Sequence, residues 1–264
     1  MAEPKPDRPV FAAERQQRVA RLVAARGRAR IGELAQEFGV TQPTIRKDLT
    51  VLQEQGALKR THGGAIANRP PIERELSDRT STLRAAKDAI GNACSAMISD
   101  GDSVFLDSGT TVAAIARALA AHAPTTPRNI AVLTNAIDVA NALADVPDIE
   151  HLLIGGELRR ASGSLVGAVA LRSLQRFTVD IAFISASGLS EAGITVASAA
   201  EAEIKSAVVH GARRVVVAAD HTKVGVTDFA RITSLEEIDT LVTDQPTPEL
   251  SELCAAHAIE LVAG

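Results

Sequence analysis

The spacing of apolar positions changes near residue 82, and that change predicts two domains. Before it the pattern is helical. Val19, Leu22 and Val23 recur at helical spacing until Gly27 stops the run. A second helix is expected over residues 32–38, with Leu34, Ala35 and Phe38 on one face, closed by a turn at Gly39-Val40. Thr41 is a good N-cap, and Pro43 is tolerated in the first turn of a third helix that runs to about Gln55 and ends at Gly56. Its apolar face is Ile45, Leu49 and Leu52, with Arg46, Lys47 and Thr50 roughly opposite. Two such helices around a short glycine-containing turn form a helix-turn-helix. The basic stretch from Ala57 to Ala65, closed by Gly63-Gly64, reads as a hairpin or wing beside it.

Beyond residue 82, short apolar runs alternate with alanine-rich helical stretches such as 112–121 and 136–144. Strands are expected over 103–106, 130–134, 151–154, 181–185, 215–218, 240–242 and 259–262. That alternation argues for a mostly parallel sheet with helices on its faces. The fold class is therefore α/β: an N-terminal winged helix-turn-helix domain followed by a C-terminal α/β domain. The expected organisation is a disordered tail over residues 1–11, a DNA-binding domain over 12–67 with the helix-turn-helix at about 29–48, a linker over 68–82 that contains Pro70-Pro71, and the C-terminal domain over 83–264.

Composition narrows the chemistry. There is no Trp or Tyr and only 6 Phe, so an aliphatic core must carry the packing. Cys94 and Cys254 lie far apart in apolar surroundings, which argues against a disulfide framework or a metal site and for buried, inert thiols. No apolar run reaches the roughly 18 residues of a membrane span, and no apolar segment follows the polar N-terminus, so a cytoplasmic protein is expected. The net charge of −4 conceals an asymmetry. Residues 1–69 hold 13 Lys+Arg against 7 Asp+Glu, a net of +6, whereas the remainder holds 15 against 25, a net of −10. A basic head on an acidic body suits a polyanionic partner for the head.

The third helix has the chemistry of a recognition helix. Its apolar face seats it, and its polar face can enter the major groove, where base edges carry a donor/acceptor code. Thr41, Gln42, Thr44, Arg46 and Lys47 offer hydroxyl, amide and cationic groups early in that helix, and Arg46 could grip either a guanine or a phosphate. On the wing, Lys59, Arg60 and His62 are expected to meet the backbone of double-stranded operator DNA. The bland alternative is a small helical domain whose cations only solvate its surface. The stretch from Arg15 to Ala65 resembles the DNA-binding domain of the DeoR family of bacterial regulators. The resemblance rests on Glu14-Arg15, Glu33-Leu34-Ala35, the run from Val40 to Leu49, Leu52, Gly56, Leu58, Arg60 and His62-Gly63-Gly64-Ala65. The family more often has Ser at Thr41 and Arg at Lys47; both changes keep the cap or the charge, although Lys lacks the planar fork of Arg.

In the second domain, Asp107-Ser108-Gly109-Thr110-Thr111 follows an apolar strand and opens a helix. A helix N-terminus presents free N–H groups and the positive end of a dipole, so a phosphate could sit there. Neither a Walker A loop nor a GxGxxG motif is present, which argues against a nucleotide, and no cofactor is expected. An ordinary capped helix is the alternative. Thr134-Asn135, Gly155-Gly156, the segment 163–167 and Ser185-Ala186-Ser187-Gly188 end or follow other strands, where ligands of open α/β sheets gather. This region too, from about Lys87 to Asp244, resembles the DeoR family, in its sensor domain. That domain is similar to sugar-phosphate isomerases and typically binds a phosphorylated sugar or related metabolite. The resemblance implies that Ser108, Gly109, Thr110 and Thr111 hold the phosphate and that Asp107, Asn135, Gly155, Gly156, Lys205, Asp220 and Lys223 line the rest of the pocket. The family usually has Asp-Ser where Asp220-His221 stands, a departure that bears on which metabolite fits. Lys205 has a bland alternative: four residues after Glu201, it could form a surface ion pair. The expected protein is a ligand-controlled transcription regulator, most often a repressor in this family, acting as a homo-oligomer. The rival, an isomerase-like enzyme fused to a DNA-binding head, lacks a compact acid–base pair in the sequence.

Overall fold

The computed structural model describes residues 12–54, 58–61, 63–67, 80–122 and 129–264. The chain forms two compact units, Met1–Glu73 and Arg74–Gly264. The expected tail over 1–11, the helix stop at Gly56, His62 and most of the expected linker lie outside the described residues.

In the first unit, α1 (Ala12–Arg26), α2 (Ile31–Glu37) and α3 (Gln42–Glu54) precede a hairpin of β2 (Leu58–Thr61) and β3 (Gly64–Ala67). The apolar faces read from the sequence meet in one core: Val19 and Val23 from α1, Leu34 from α2, Ile45, Leu49 and Leu52 from α3, and Leu58 from the wing. A third strand, β1 (Arg28–Arg30), joins the wing in the order β1-β3-β2. Three residues that read Arg-Ala-Arg show no strand periodicity, so no element is expected there from sequence. Pairing creates the strand: Ala29 registers with Ala65. Gly64 is required there, since a Cβ on it would lie 2.1 Å from the Ala29 carbonyl oxygen.

The second unit is built on seven strands: β4 (Ser103–Leu106), β5 (Ile130–Thr134), β6 (Ile149–Leu153), β9 (Val179–Ser185), β12 (Ala212–Ala218), β14 (Thr240–Thr243) and β15 (Glu260–Ala263). Every neighbouring pair is parallel, and the order across the sheet is β15-β14-β12-β9-β4-β5-β6. These are the seven strands expected from the sequence, with β6 displaced toward the N-terminus. Between them run α4 (Arg84–Ala96), α5 (Thr110–His122), α6 (Ile137–Leu143), α7 (Gly167–Leu174), α8 (Ala199–Gly211) and α9 (Pro248–Ala256). Alternate residues feed opposite faces of the sheet. Phe105, Ala182, Ile184, Val215 and Val217 enter one core. Val104, Leu106, Ile181, Phe183, Val216 and Ala218 enter the other. Burial on both faces explains why these strands read as continuous apolar runs. The strand order reverses between β4 and β9, the switch point at which doubly wound sheets open a crevice at their carboxyl edge.

Two small antiparallel additions were absent from the sequence expectation: the hairpin of β7 (Glu157–Arg159) and β8 (Ser164–Val166), and a sheet of β10 (Gly188–Ser190), β11 (Gly193–Val196) and β13 (Ala230–Thr233). Strands of three or four residues are too short to show a period. Cys94 and Cys254 are buried and free, and burial pushes the Cys94 thiol up to about 12. Among the described residues, no helix is long and apolar enough to cross a membrane, and no cluster of His, Cys, Asp and Glu could hold a metal ion.

Candidate functional site

The first unit presents α3 as a seated helix with a free polar face. Thr41 caps it: its Oγ1 accepts from the Thr44 amide at 3.4 Å and shares a hydrogen bond with the Thr44 hydroxyl at 2.9 Å. Gln42, Arg46 and Lys47 are exposed, whereas Ile45 and Leu49 are fully buried. Asp48, on the buried side, is gripped from α1. Arg15 donates through Nε (2.7 Å) and Nη2 (3.2 Å), and Gln16 through Nε2 (2.9 Å), to its carboxylate. This forked pair fixes the rotation of α3 about its own axis and neutralises a carboxylate that would otherwise repel phosphates. Lys59 is exposed on the wing. Arg60 is also exposed, but its Nη1 donates to Thr50 Oγ1 at 2.7 Å.

In the second unit the switch point holds a buried polar cluster. Asp107 follows the last residue of β4 and is fully buried. Lys205, on α8, is 2% exposed; it donates to Asp107 Oδ2 and, at 2.9 Å, to Ser185 Oγ. The Ser185 amide donates to Asp107 Oδ2 at 2.9 Å, and the Ser185 hydroxyl lies within reach of both Asp107 Oδ2 (3.1 Å) and the Ser108 carbonyl (2.7 Å). The surface pairing of Lys205 with Glu201 is thus corrected: Lys205 points into the sheet edge. Glu201, 6% exposed, instead meets Arg159 at 3.7 Å and Ser164 at 3.5 Å on the β7–β8 hairpin.

Gly109 turns the chain from this cluster into α5 with φ +110°, a conformation L side chains rarely adopt, and a Cβ there would meet Ser185 Oγ at 3.0 Å. Thr110 and Thr111 then open the helix, where the first amides have no intrahelical acceptor. Thr110 also lines a cavity of about 400 Å³ with Thr80, Arg117, Asp138 and Asn141. One strand over, Asn135 is 1% exposed. Its Nδ2 donates to the Leu165 carbonyl at 3.1 Å, but its buried Oδ1 has no partner among the described residues. A buried acceptor left unmade is costly unless a ligand or water donates to it.

The remaining expected residues make contacts of their own. Gly155 is exposed, and Gly156 packs against the hairpin, where a Cβ would come within 2.7 Å of the Val166 carbonyl oxygen. Asp220 is buried in its own turn, accepting from the Thr222 amide (3.1 Å) and hydroxyl, with Lys223 Nζ at 4.0 Å. Beside it, His221 Nδ1 lies 2.7 Å from Asp244. Burial alone would raise the Asp244 carboxyl, but hydrogen bonds from the His221 ring and backbone outweigh it and hold the group below its usual range. The sequence places Ser185 only within a strand-ending loop at the carboxyl edge, without a role of its own, and does not mark Glu201 or Arg159 as ligand residues. Ser185 ends its apolar run much as Asp107 follows the 103–106 run.

An ammonium that donates to Ser185 is no base for that serine. Lys205 Nζ makes two hydrogen bonds inside the protein, to Asp107 and Ser185.

Comparison with known proteins adds a family. The DeoR-like helix-turn-helix domain matches residues 15–70, and the DeoR C terminal sensor domain matches residues 83–245. The HTH-type transcriptional repressor GlcR of Bacillus subtilis is 37% identical over 227 residues, covering 84% of this chain and 85% of GlcR. The glycerol-3-phosphate regulon repressor of Escherichia coli K12 is 31% identical over 250 residues, covering 94% and 97%. Among solved structures, a ribose 5-phosphate isomerase from Methanocaldococcus jannaschii overlaps 54% of this chain and 55% of its own, at 17% identity and a TM-score of 0.41.

Proposed function

Since this chain belongs to the DeoR family and is a DNA-binding transcription regulator, we propose that it is a repressor whose hold on operator DNA is set by a phosphorylated sugar or polyol. The observation that carries the reading is the Asp107–Thr111 turn. It sits at the sheet's switch point, opens a helix N-terminus, and is braced by a buried Lys205. An oxyanion there would receive the first amides of α5 and the hydroxyls of Ser108, Thr110 and Thr111. The unpartnered Oδ1 of Asn135 suits a ligand hydroxyl. Asp107 and Ser185 chiefly hold the loop and the lysine in place, and the Asp220–Lys223 turn would meet the far end of the ligand. Lys205 would give its third proton to the ligand.

At the head, Thr41, Gln42, Thr44, Arg46 and Lys47 would face the major groove, with Lys59 and His62 on phosphates. Self-association would present paired heads to paired half-sites. Exposed Leu152 and Leu153 on the edge strand β6, with Leu158 and Val169, offer apolar surface for it. A repressor works where the chromosome is, so the cytoplasm is its place of action. Ligand then controls DNA binding only through its differential affinity for the two arrangements of the protein.

Thermal-shift measurements with sugar and polyol phosphates and their unphosphorylated parents test this reading. A ligand that binds the native state raises the melting temperature by mass action. The proposal expects at least one phosphate ester to do so while its parent does not. Turnover of any ester would instead favour the enzyme.

A further inference from the structure

We propose that Arg60 is a positioning residue that clips the wing to the recognition helix, and that Lys59, its neighbour, is the phosphate contact of the described part of β2. Strand geometry separates the two side chains. Successive residues of a strand point to opposite faces. Leu58 is 2% exposed and enters the core of the head, so Arg60, two residues on, shares its face, and Lys59 points the other way. Two hydrogen bonds tie Arg60 to α3. Its amide donates to Gln53 Oε1 at 2.9 Å, and its Nη1 donates to Thr50 Oγ1 at 2.7 Å. The Thr50 hydroxyl in turn donates to the Arg46 carbonyl at 2.9 Å. A chain of donors therefore runs from the wing, through Thr50, to the backbone of Arg46, one of the candidate DNA-contacting residues. Linked hydrogen bonds polarise one another and hold geometry more firmly than separate ones.

The two roles leave different marks on salt dependence. Each phosphate contact releases about 0.9 of a counterion, so removing one lowers the slope of log affinity against log salt by about that amount. A residue that only aims other groups changes affinity and leaves the slope alone. The probe is a duplex selected by the full-length protein from a random-sequence library, with binding read by fluorescence anisotropy across a salt series. We expect Lys59→Gln to lower the slope by about one contact. We expect Arg60→Ala to weaken binding severalfold with the slope unchanged. Thr50→Val removes the oxygen without touching any cation, and it is expected to weaken binding about as much, with Thr50→Ser restoring it. The Thr50→Val/Arg60→Ala double variant should bind no more weakly than Arg60→Ala alone. The assignment is overturned if Arg60→Ala lowers the slope as Lys59→Gln does, or if the Thr50 and Arg60 effects add.

Discussion

Lys205 on α8 donates from its ammonium to the carboxylate of Asp107, a residue 98 positions earlier in the chain, and both are almost completely buried. The pair bridges the helix packed on the sheet and the loop that leads into α5. It lies where the strand order turns back on itself, so the loop's conformation depends on a charge supplied from outside it.

Removing one partner leaves the other charged and buried. Lys205→Met is therefore expected to destabilise the protein by about 3–5 kcal/mol. Adding Asp107→Asn to that variant should recover a large part of the loss, because no charge is then left unpaired. Urea unfolding of the wild type, the single and the double variant measures this. Equal instability of the single and double variants would deny the pair its role.

On the head, Arg46 is exposed next to the buried Ile45, so truncating it should spare the fold. If Arg46 reads a base, Arg46→Ala weakens specific binding by about 1–3 kcal/mol and relaxes sequence preference at one position. Gel-shift titration of the selected duplex and of variants at each base pair provides the readout, and unchanged affinity would remove Arg46 from the interface.

The His221–Asp244 pair predicts a pH dependence. Asp244 is held below the ordinary Asp value of about 3.9 in the folded chain, so its contribution is present above that value and is lost as pH falls through the folded one. His221→Ala removes the ring's share of this. The variant should be less stable than the wild type at neutral pH, with the gap closing as pH drops below about 4. Urea midpoints measured across that range give the answer; a gap independent of pH would contradict it.

Much of the fold is legible in the sequence because burial on both faces writes each central strand as an unbroken apolar run, as at Val104–Leu106 and Val215–Ala218. The head is equally legible, since Leu34, Ile45, Leu49 and Leu52 keep helical spacing. What escaped depends on pairing partners distant in sequence. β1 is a strand only because Ala29 meets Ala65. In the crevice, the helix-opening turn could be read from Gly109 and the two threonines, but the partner of Lys205 could not. Helical spacing offered Glu201 at i−4, whereas the fold delivered Asp107 from another strand. Arg60 shows the same limit in small: composition marks it as a cation on a wing, and only the alternation of β2 against α3 brings it onto Thr50.

The most direct test of the central claim, that an anion on the N-terminus of α5 governs the head, is the change in affinity for the selected duplex caused by the phosphate ester found in the thermal-shift screen. The measurement compares the wild type with Thr110→Ala/Thr111→Ala. The account predicts that the double variant binds DNA as tightly as the wild type without the ester but no longer responds to it. A double variant that responds like the wild type would contradict the account.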